Sequence, residues 1–454
     1  MTAPAPTASV FSPGRRLLTV GMVLTVTLVA FESMAIATVM PLVEEDLGDL
    51  WLYGWVFSAF FLGNLVGVVV AGSAADRRRP AVPYAVGLVV FSVGLVVGGA
   101  ASSMSMLVAG RLLQGLGAGA MPAVAYVCIG RGYRPEARAR MFALMSTAWV
   151  VPSVAGPALA GLIGATLGWR WVFLGLLPLC GVIGLVALSG VRTIGTPEER
   201  TAEATVLRAI QVAVGAGLLL AGLQARSVVL VLALVCAGVA IMVPAFRRLT
   251  PPGTLRGRAG LPAAVLVRGL LGFGFFAADA YVPFAITTVR GMSATLGGLA
   301  LTTATFTWTL ASWLQARWVD RVGPRRLVLG GLLVIGGGSL SLLAVLVPSI
   351  PAWIGLVSWG IGGFGIGLAF APLSLVTLAL AAPGEEGRAT AGLQLSDMLG
   401  TALGTGVAGA IVTFGSRTLD SETAGLVLVF LVAAAVSFLG AAVATGVPRR
   451  LHPT

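Results

Sequence analysis

Lysine is absent from the 454 residues, and the chain holds one histidine, His452, and three cysteines, Cys128, Cys180 and Cys236. Each shortage removes a class of chemistry. A Walker-type loop needs a lysine on the phosphates, so the chain is not its own ATPase by that route. The cysteines are isolated inside apolar stretches, with neither metal-site spacing nor a disulfide pattern, and read as small packing residues. A single histidine in the tail supplies no metal site and no imidazole relay. No cofactor is implied. No constellation of His, Cys, Ser or paired carboxylates near an interface marks an enzyme. Charge is scarce as well, at 10% of residues, where soluble domains carry about 25%.

What the chain has instead is apolar length. Hydrophobic residues make up 57% of it. Runs long enough to cross a hydrocarbon core of roughly 30 Å recur from residue 17 to residue 446. A membrane barrel would show alternating segments of about ten residues. The reading is an all-α polytopic membrane protein with fourteen spans, at approximately 16–41, 52–75, 81–101, 104–130, 139–166, 169–191, 207–225, 227–246, 261–289, 294–318, 326–347, 352–380, 388–414 and 424–446. Residues 1–14, rich in Ala, Pro, Ser and Thr, form an expected disordered tail, and 447–454 a second tail. The run after Arg15 and Arg16 is too long for a signal peptide and stays as a span.

The net charge of +12 invites a nucleic-acid partner, but the positions of the charges argue against one. With the N-terminus inside, the outer loops hold only Arg170, Arg226, Arg290 and Arg417, and Arg111 and Arg268 fall within spans. The other 23 of the 29 arginines lie in inner loops and tails. That asymmetry orients membrane proteins. It places both termini in the cytoplasm and supports an even number of spans. Lysine-free, Ala-, Gly- and Arg-rich composition suggests a bacterial source, hence the cytoplasmic membrane.

The chain also resembles itself. At an offset of 250 residues, Gly110, Gly115, Gly117 and Pro122 match Gly360, Gly365, Gly367 and Pro372, and Glu136 and Arg138 match Glu386 and Arg388. At an offset of 244, the loop Asp76-Arg77-Arg78-Arg79 echoes Asp320-Arg321 with Arg325-Arg326. Two six-span halves, 15–191 and 261–446, follow, with 192–260 carrying two extra spans between them as an inserted hairpin.

Three acidic residues lie inside apolar stretches: Glu32, Asp279 and Asp397. Intramembrane carboxylates are expensive and mark ion or proton pathways. Glu32 and Asp279 are 247 residues apart, close to the repeat, so they hold comparable places in the two halves. Glu32 lies ~12 Å and Arg111 ~10 Å from the outer ends of their spans at 1.5 Å per residue. They share a depth, either as a structural ion pair or as one whose proton occupancy gates transport. Asp397 is a third cavity charge or a group on the latch side. Arg268, near the inner end of its span, can snorkel to the interface.

Three motifs complete the reading. Gly72-Ser73-Ala74-Ala75-Asp76-Arg77-Arg78-Arg79 joins spans 2 and 3. Arg111-Leu112-Leu113-Gln114-Gly115-Leu116-Gly117-Ala118-Gly119 lies in span 4, with Arg111 and Gln114 on one helix face. Pro152-Ser153-Val154-Ala155-Gly156-Pro157-Ala158-Leu159-Ala160-Gly161 lies in span 5. Together they resemble the major facilitator superfamily, and within it the fourteen-span drug:proton antiporters, over residues 15–447. The first loop departs from the family's pattern by lacking its second glycine. The span-5 motif departs by having Pro152 and Ala160 where glycines stand.

The resemblance implies proton-coupled export of small amphipathic molecules by alternating access, with an uptake symporter or a lipid or metabolite transporter as the alternative on the same fold. It implies a gating latch of Asp76, Arg77, Asp320 and Arg321, and an antiporter-type helix motif at Pro152, Gly156, Pro157 and Gly161. The expected proton-coupling set is Glu32, Arg111, Asp279 and Asp397, and the expected cavity residues are Gln114, Phe276, Tyr281 and Trp149. Expected partners are a small-molecule substrate, protons and lipid, with no nucleic acid and a monomeric chain.

Overall fold

The computed structural model describes residues 11–12, 14–75, 77–133, 137, 141, 144–145, 147–195, 203–382 and 386–450. Residues 1–10 and 451–454 of the two tails, Asp76 of the first loop motif, and Glu136 and Arg138 of the repeated loop lie outside them. The described residues are helical, with no strand among them. Fourteen long helices follow in order: α1 (Arg16–Leu47), α2 (Tyr53–Ala75), α3 (Ala81–Gly99), α4 (Met104–Gly132), α5 (Val150–Thr166), α6 (Leu177–Val191), α7 (Glu203–Leu223), α8 (Val228–Leu249), α9 (Leu261–Asp279), α10 (Ala294–Val322), α11 (Pro324–Ser341), α12 (Ile354–Leu380), α13 (Glu386–Thr418) and α14 (Glu422–Val443). Ser103, Ser293 and Ser421 start α4, α10 and α14 by accepting from the backbone N–H three residues on, which satisfies one of the unpaired donors of the first turn.

Among the described residues, twelve helical stretches are long and apolar enough to cross a membrane. The other two expected spans differ for separate reasons. The apolar part of α5, Ala155–Thr166, is short. Helix α10 has the length, 29 residues, but its sequence is diluted by polar side chains. Much of that polarity is spent inside the helix. Thr302, Thr303, Thr305 and Thr309 each donate a hydroxyl to the carbonyl four residues back, at 2.9–3.1 Å. A threonine bonded this way presents mainly its methyl to its neighbours.

Helices α1–α6 pack on one another, as do α9–α14, and α7 and α8 form a pair that lies against α2 and α13. Leu62 and Leu65 of α2, Val212 and Ala216 of α7, and Leu395 and Leu399 of α13 share one buried cluster. By the alternation of the helices, most described arginines of the loops and tails, Arg170, Arg226, Arg290 and Arg417 excepted, lie at one end, called below the arginine-rich face. Within each half the closest packing is made by glycine. A Cβ on Gly115 or Gly119 would strike the carbonyl of Phe60 or Asn64 in α2. One on Gly363 or Gly367 would strike that of Ala304 or Trp308 in α10.

These contacts fix the repeat. Phe60 to Ala304 and Asn64 to Trp308 is a step of 244, but Gly115 to Gly363 and Gly119 to Gly367 is a step of 248. Gly117 and Gly365, against Gly87 and Gly331, keep the same steps. The offset of 250 in the glycine-rich stretch is therefore two residues out of register. Glycines at alternate positions match themselves equally well when shifted by two, and only packing separates the alternatives.

Gly115→Ala is expected to destabilise the detergent-purified protein by about 1–3 kcal/mol, because the α2 backbone has no room to yield. Gly337→Ala, where nothing lies within 4 Å of the new methyl, is expected to be neutral or stabilising by up to about 1 kcal/mol through helix propensity. Melting curves that moved equally for both would contradict the close-packing account.

Candidate functional site

The site is built where carboxylates meet helix neighbours between the ends of the bundle. Glu32 of α1 and Arg111 of α4 form an ion pair, and both are buried. Arg111 also donates to Gln114 Oε1 at 2.6 Å and to the Val56 carbonyl at 3.2 Å, and lies 4.2 Å over the Phe60 ring. Gln114, expected to line a cavity, is fully buried in this network. The arrangement is a satisfied cation with carboxylate, amide, carbonyl and aromatic face around it, which is what a buried charge needs.

Arg268 of α9 does not snorkel. It is 4% exposed, pairs with Asp397 of α13 at 3.1 Å, donates to the Phe370 carbonyl at 2.8 Å, and stacks 3.2 Å over the Phe370 ring. The snorkelling expectation fails because α13 brings a carboxylate to the same depth, so the guanidinium gains more by pairing than by reaching water. Asp397 thereby belongs with Arg268 and not with the loop of Asp320.

Asp279 is different. It is the last residue of α9, where the chain breaks, turns at Ala280 and Tyr281, and resumes as Val282–Phe284 and a π-helical turn, Ala285–Val289. Among the described residues it has no ion pair. Its Oδ1 accepts from the indole N–H of Trp359 in α12 at 2.7 Å, and it is partly exposed. Trp359 is itself fully buried and stacked on Phe275 at 4.8 Å. Trp359 was invisible in the sequence because an indole in a membrane helix looks like any other apolar residue.

The two halves meet at the face opposite the arginines. A Cβ on Gly409 of α13 would lie 2.7 Å from Gly54 of α2, and Ser58 bonds the Ala402 carbonyl at 2.9 Å and Thr405 at 3.2 Å. On the other seam, Gly298 of α10 rests on the Pro157 carbonyl and Gly161 of α5 on Thr295. Pro157 and Gly161 of the span-5 motif therefore face the opposite half, whereas Gly156 faces Phe31 and Met34 of α1, and Pro152 is buried. Between the seams Tyr53, Tyr281 and Phe284 pack as one aromatic cluster with centroids 4.9–6.3 Å apart, all fully buried. Tyr53 reaches the Ala280 carbonyl at 3.5 Å, one residue from Asp279. Tyr281, expected in the cavity, is part of this seal.

Further toward the arginine-rich face, Phe276 packs on Phe61 of the other half at 5.9 Å. Trp308 bridges Phe275 and Phe370 at 5.7 and 5.5 Å. Phe61, Phe276, Trp308 and Phe370 are each half-buried. Trp149 stands at the start of α5 and is 42% exposed. Of the latch residues, Arg77, Asp320 and Arg321 are exposed at the arginine-rich face, and Asp320 has no ion pair among the described residues.

The sequence model of the Major Facilitator Superfamily matches residues 22–212 and 264–454. It leaves out the second half of α7 and all of α8. "Multidrug transporter protein MdtP" of Bacillus subtilis is 26% identical over 422 residues, covering 90% of this chain and 77% of that one. "Probable multidrug-efflux transporter Rv1634" of Mycobacterium tuberculosis is 28% identical over 454 residues, covering 94% of each. Among solved structures, the D-xylose-proton symporter superposes with a TM-score of 0.69 at 14% identity, covering 96% of this chain and 98% of that one. A bacterial homologue of the lysosomal transporter Spinster superposes with 0.67 at 16% identity, covering 98% and 100%. The structural likenesses carry the fold. The sequence likenesses point to an integral membrane transporter and not to an enzyme.

Proposed function

The chain belongs to the major facilitator superfamily, and on that premise we propose that it exports small amphipathic, drug-like molecules in exchange for protons, by alternating access across a bacterial cytoplasmic membrane. All fourteen long helices cross the bilayer in this reading, α5 and α10 included, with α7 and α8 as the inserted hairpin and both termini in the cytoplasm. The working unit is a monomer, and its partners are protons, the substrate and the surrounding lipid.

One observation carries the proton-coupling part. Of the three intramembrane acids, Glu32 and Asp397 each hold an arginine, and among the described residues Asp279 holds a neutral indole N–H and no cation. A neighbouring cation favours the ionised form of a carboxylate, and a carboxylate without one gives and takes a proton more readily. Asp279 also sits at a helix break, where transporters place their coupling sites, and beside the aromatic seal. Protonation there can therefore act on the Tyr53–Ala280 contact next to it. The half-buried rings Phe61, Phe276, Trp308 and Phe370 offer flat apolar surfaces to an aromatic substrate. The names of the bacterial relatives support drug efflux as the direction and cargo.

Purified protein in liposomes under an imposed pH gradient tests this. Ethidium is expected to accumulate in the acidic compartment and to leak back when a protonophore is added. Dye movement indifferent to the gradient would remove antiport from the account.

A further inference from the structure

Arg111 and Trp359 are 248 residues apart, the step that relates Gly115, Gly117 and Gly119 to Gly363, Gly365 and Gly367 in the packing of α4 and α12. The two side chains therefore hold equivalent places in the two halves. Each reaches from that helix to the acidic residue on the first helix of its own half, Arg111 to Glu32 and Trp359 to Asp279. The halves repeat one construction with a single change of donor, a guanidinium in the first and an indole N–H in the second. The environments agree with that change. Arg111 is surrounded by groups that suit a cation, the Val56 carbonyl, Gln114 Oε1 and the Phe60 face. Trp359 lies against Phe275 at an interplanar angle of 22°.

From this equivalence we infer that Trp359 is a positioning residue for Asp279. It holds one carboxyl oxygen in a fixed direction and sets how tightly the carboxyl keeps its proton, as a neutral donor standing where the other half has a permanent charge. A guanidinium in contact favours the ionised form of a carboxylate. An indole N–H is a donor only and can never become a cation, so it favours the carboxylate by a hydrogen bond and leaves protonation within reach.

The other groups around Asp279 do not take over this part. On α9 itself, Arg268 lies eleven residues back, about 16 Å along the axis, and is paired with Asp397. Tyr281 follows in the break, and Tyr53 comes from α2, with its hydroxyl on the Ala280 carbonyl. Glu32 and Arg111 are committed to each other. From α12, Trp359 is the residue in hydrogen-bond contact.

The inference rests on Asp279 being the coupling acid, and its test separates the two ideas. Trp359→Phe keeps an aromatic ring at the site, though a smaller one, and removes the N–H. Without that donor the ionised carboxyl loses a hydrogen bond, so Asp279 holds its proton more tightly, and the pH midpoint of gradient-driven ethidium transport moves about one unit to the alkaline side. Phe275→Leu removes the stacking partner and leaves the N–H, and is expected to keep the wild-type midpoint. If Asp279→Asn leaves gradient-driven uphill transport running, the coupling assignment falls. If Asp279→Asn stops uphill transport but Trp359→Phe keeps the wild-type midpoint, the positioning role falls and the coupling assignment stands. Should Trp359→Phe not fold, 3-benzothienylalanine at position 359 keeps the indole shape with sulfur in place of N–H, and the same midpoint shift decides the matter.

Discussion

Asp279→Asn is expected to abolish proton-driven accumulation of substrate while leaving a folded protein that still binds it. Asparagine has the shape of aspartate, and its carbonyl oxygen accepts from the Trp359 N–H as the carboxylate does at 2.7 Å, so packing under the aromatic seal is preserved. What is lost is the one intramembrane acid of the three that has no arginine partner among the described residues. Vesicles carrying the variant are expected to show uphill accumulation no greater than empty vesicles, with facilitated downhill exchange retained. Glu32→Gln and Asp397→Asn provide the contrast, since each alters a paired carboxylate. If Asp279→Asn transported against the gradient like the parent and Glu32→Gln did not, the coupling role would pass to the first half.

Arg111→Met carries the second large effect, this time on stability. Arg111 is among the largest fully buried side chains in the protein. Truncation strands Glu32 without its counter-charge and removes donors from Val56 and Gln114. Breaking one side of a buried pair costs about 3–5 kcal/mol, whereas replacing both sides with apolar groups of similar volume is often close to neutral. Glu32 can escape part of the penalty by taking up a proton, which makes the loss smaller at acid pH than at alkaline pH. The double variant Glu32→Met with Arg111→Met is expected to recover most of the lost stability. Equilibrium unfolding in mixed micelles measures all three. A single variant as stable as the parent, or a double variant no better than the single, would show that the pair does not bear on stability.

How much of this was legible in the sequence depends on what each residue had to reveal. Glu32 and Arg111 were found because depth within a span can be counted at 1.5 Å per residue, and two opposite charges at one depth have few other partners. Arg268 was misread because its partner lies on a helix far along the chain. Counting depth along α9 cannot say that α13 is the neighbour. Gln114 shared a face with Arg111, as the spacing required, but a face shared with a buried cation is a buried face. Helix α10 kept its place in the order of elements although its polarity dilutes the apolar signal, because its threonines bond their own helix. Trp359 carried no signal at all until the packing register tied it to Arg111.

The α7–α8 pair leaves the two seams unequal. Leu220 of α7 fills the place beside Gly406 of α13, and Gly217 passes Trp55 and Leu62 of α2, so the pair grips both halves along one flank. No helix from outside the halves covers α5 and α10 among the described residues. If the halves tilt about their joint, one flank must shear a greased bearing and the other simply parts. The covered flank thus has a helix pair to slide past, and the flank of α5 and α10 has only the contacts between the halves to give up.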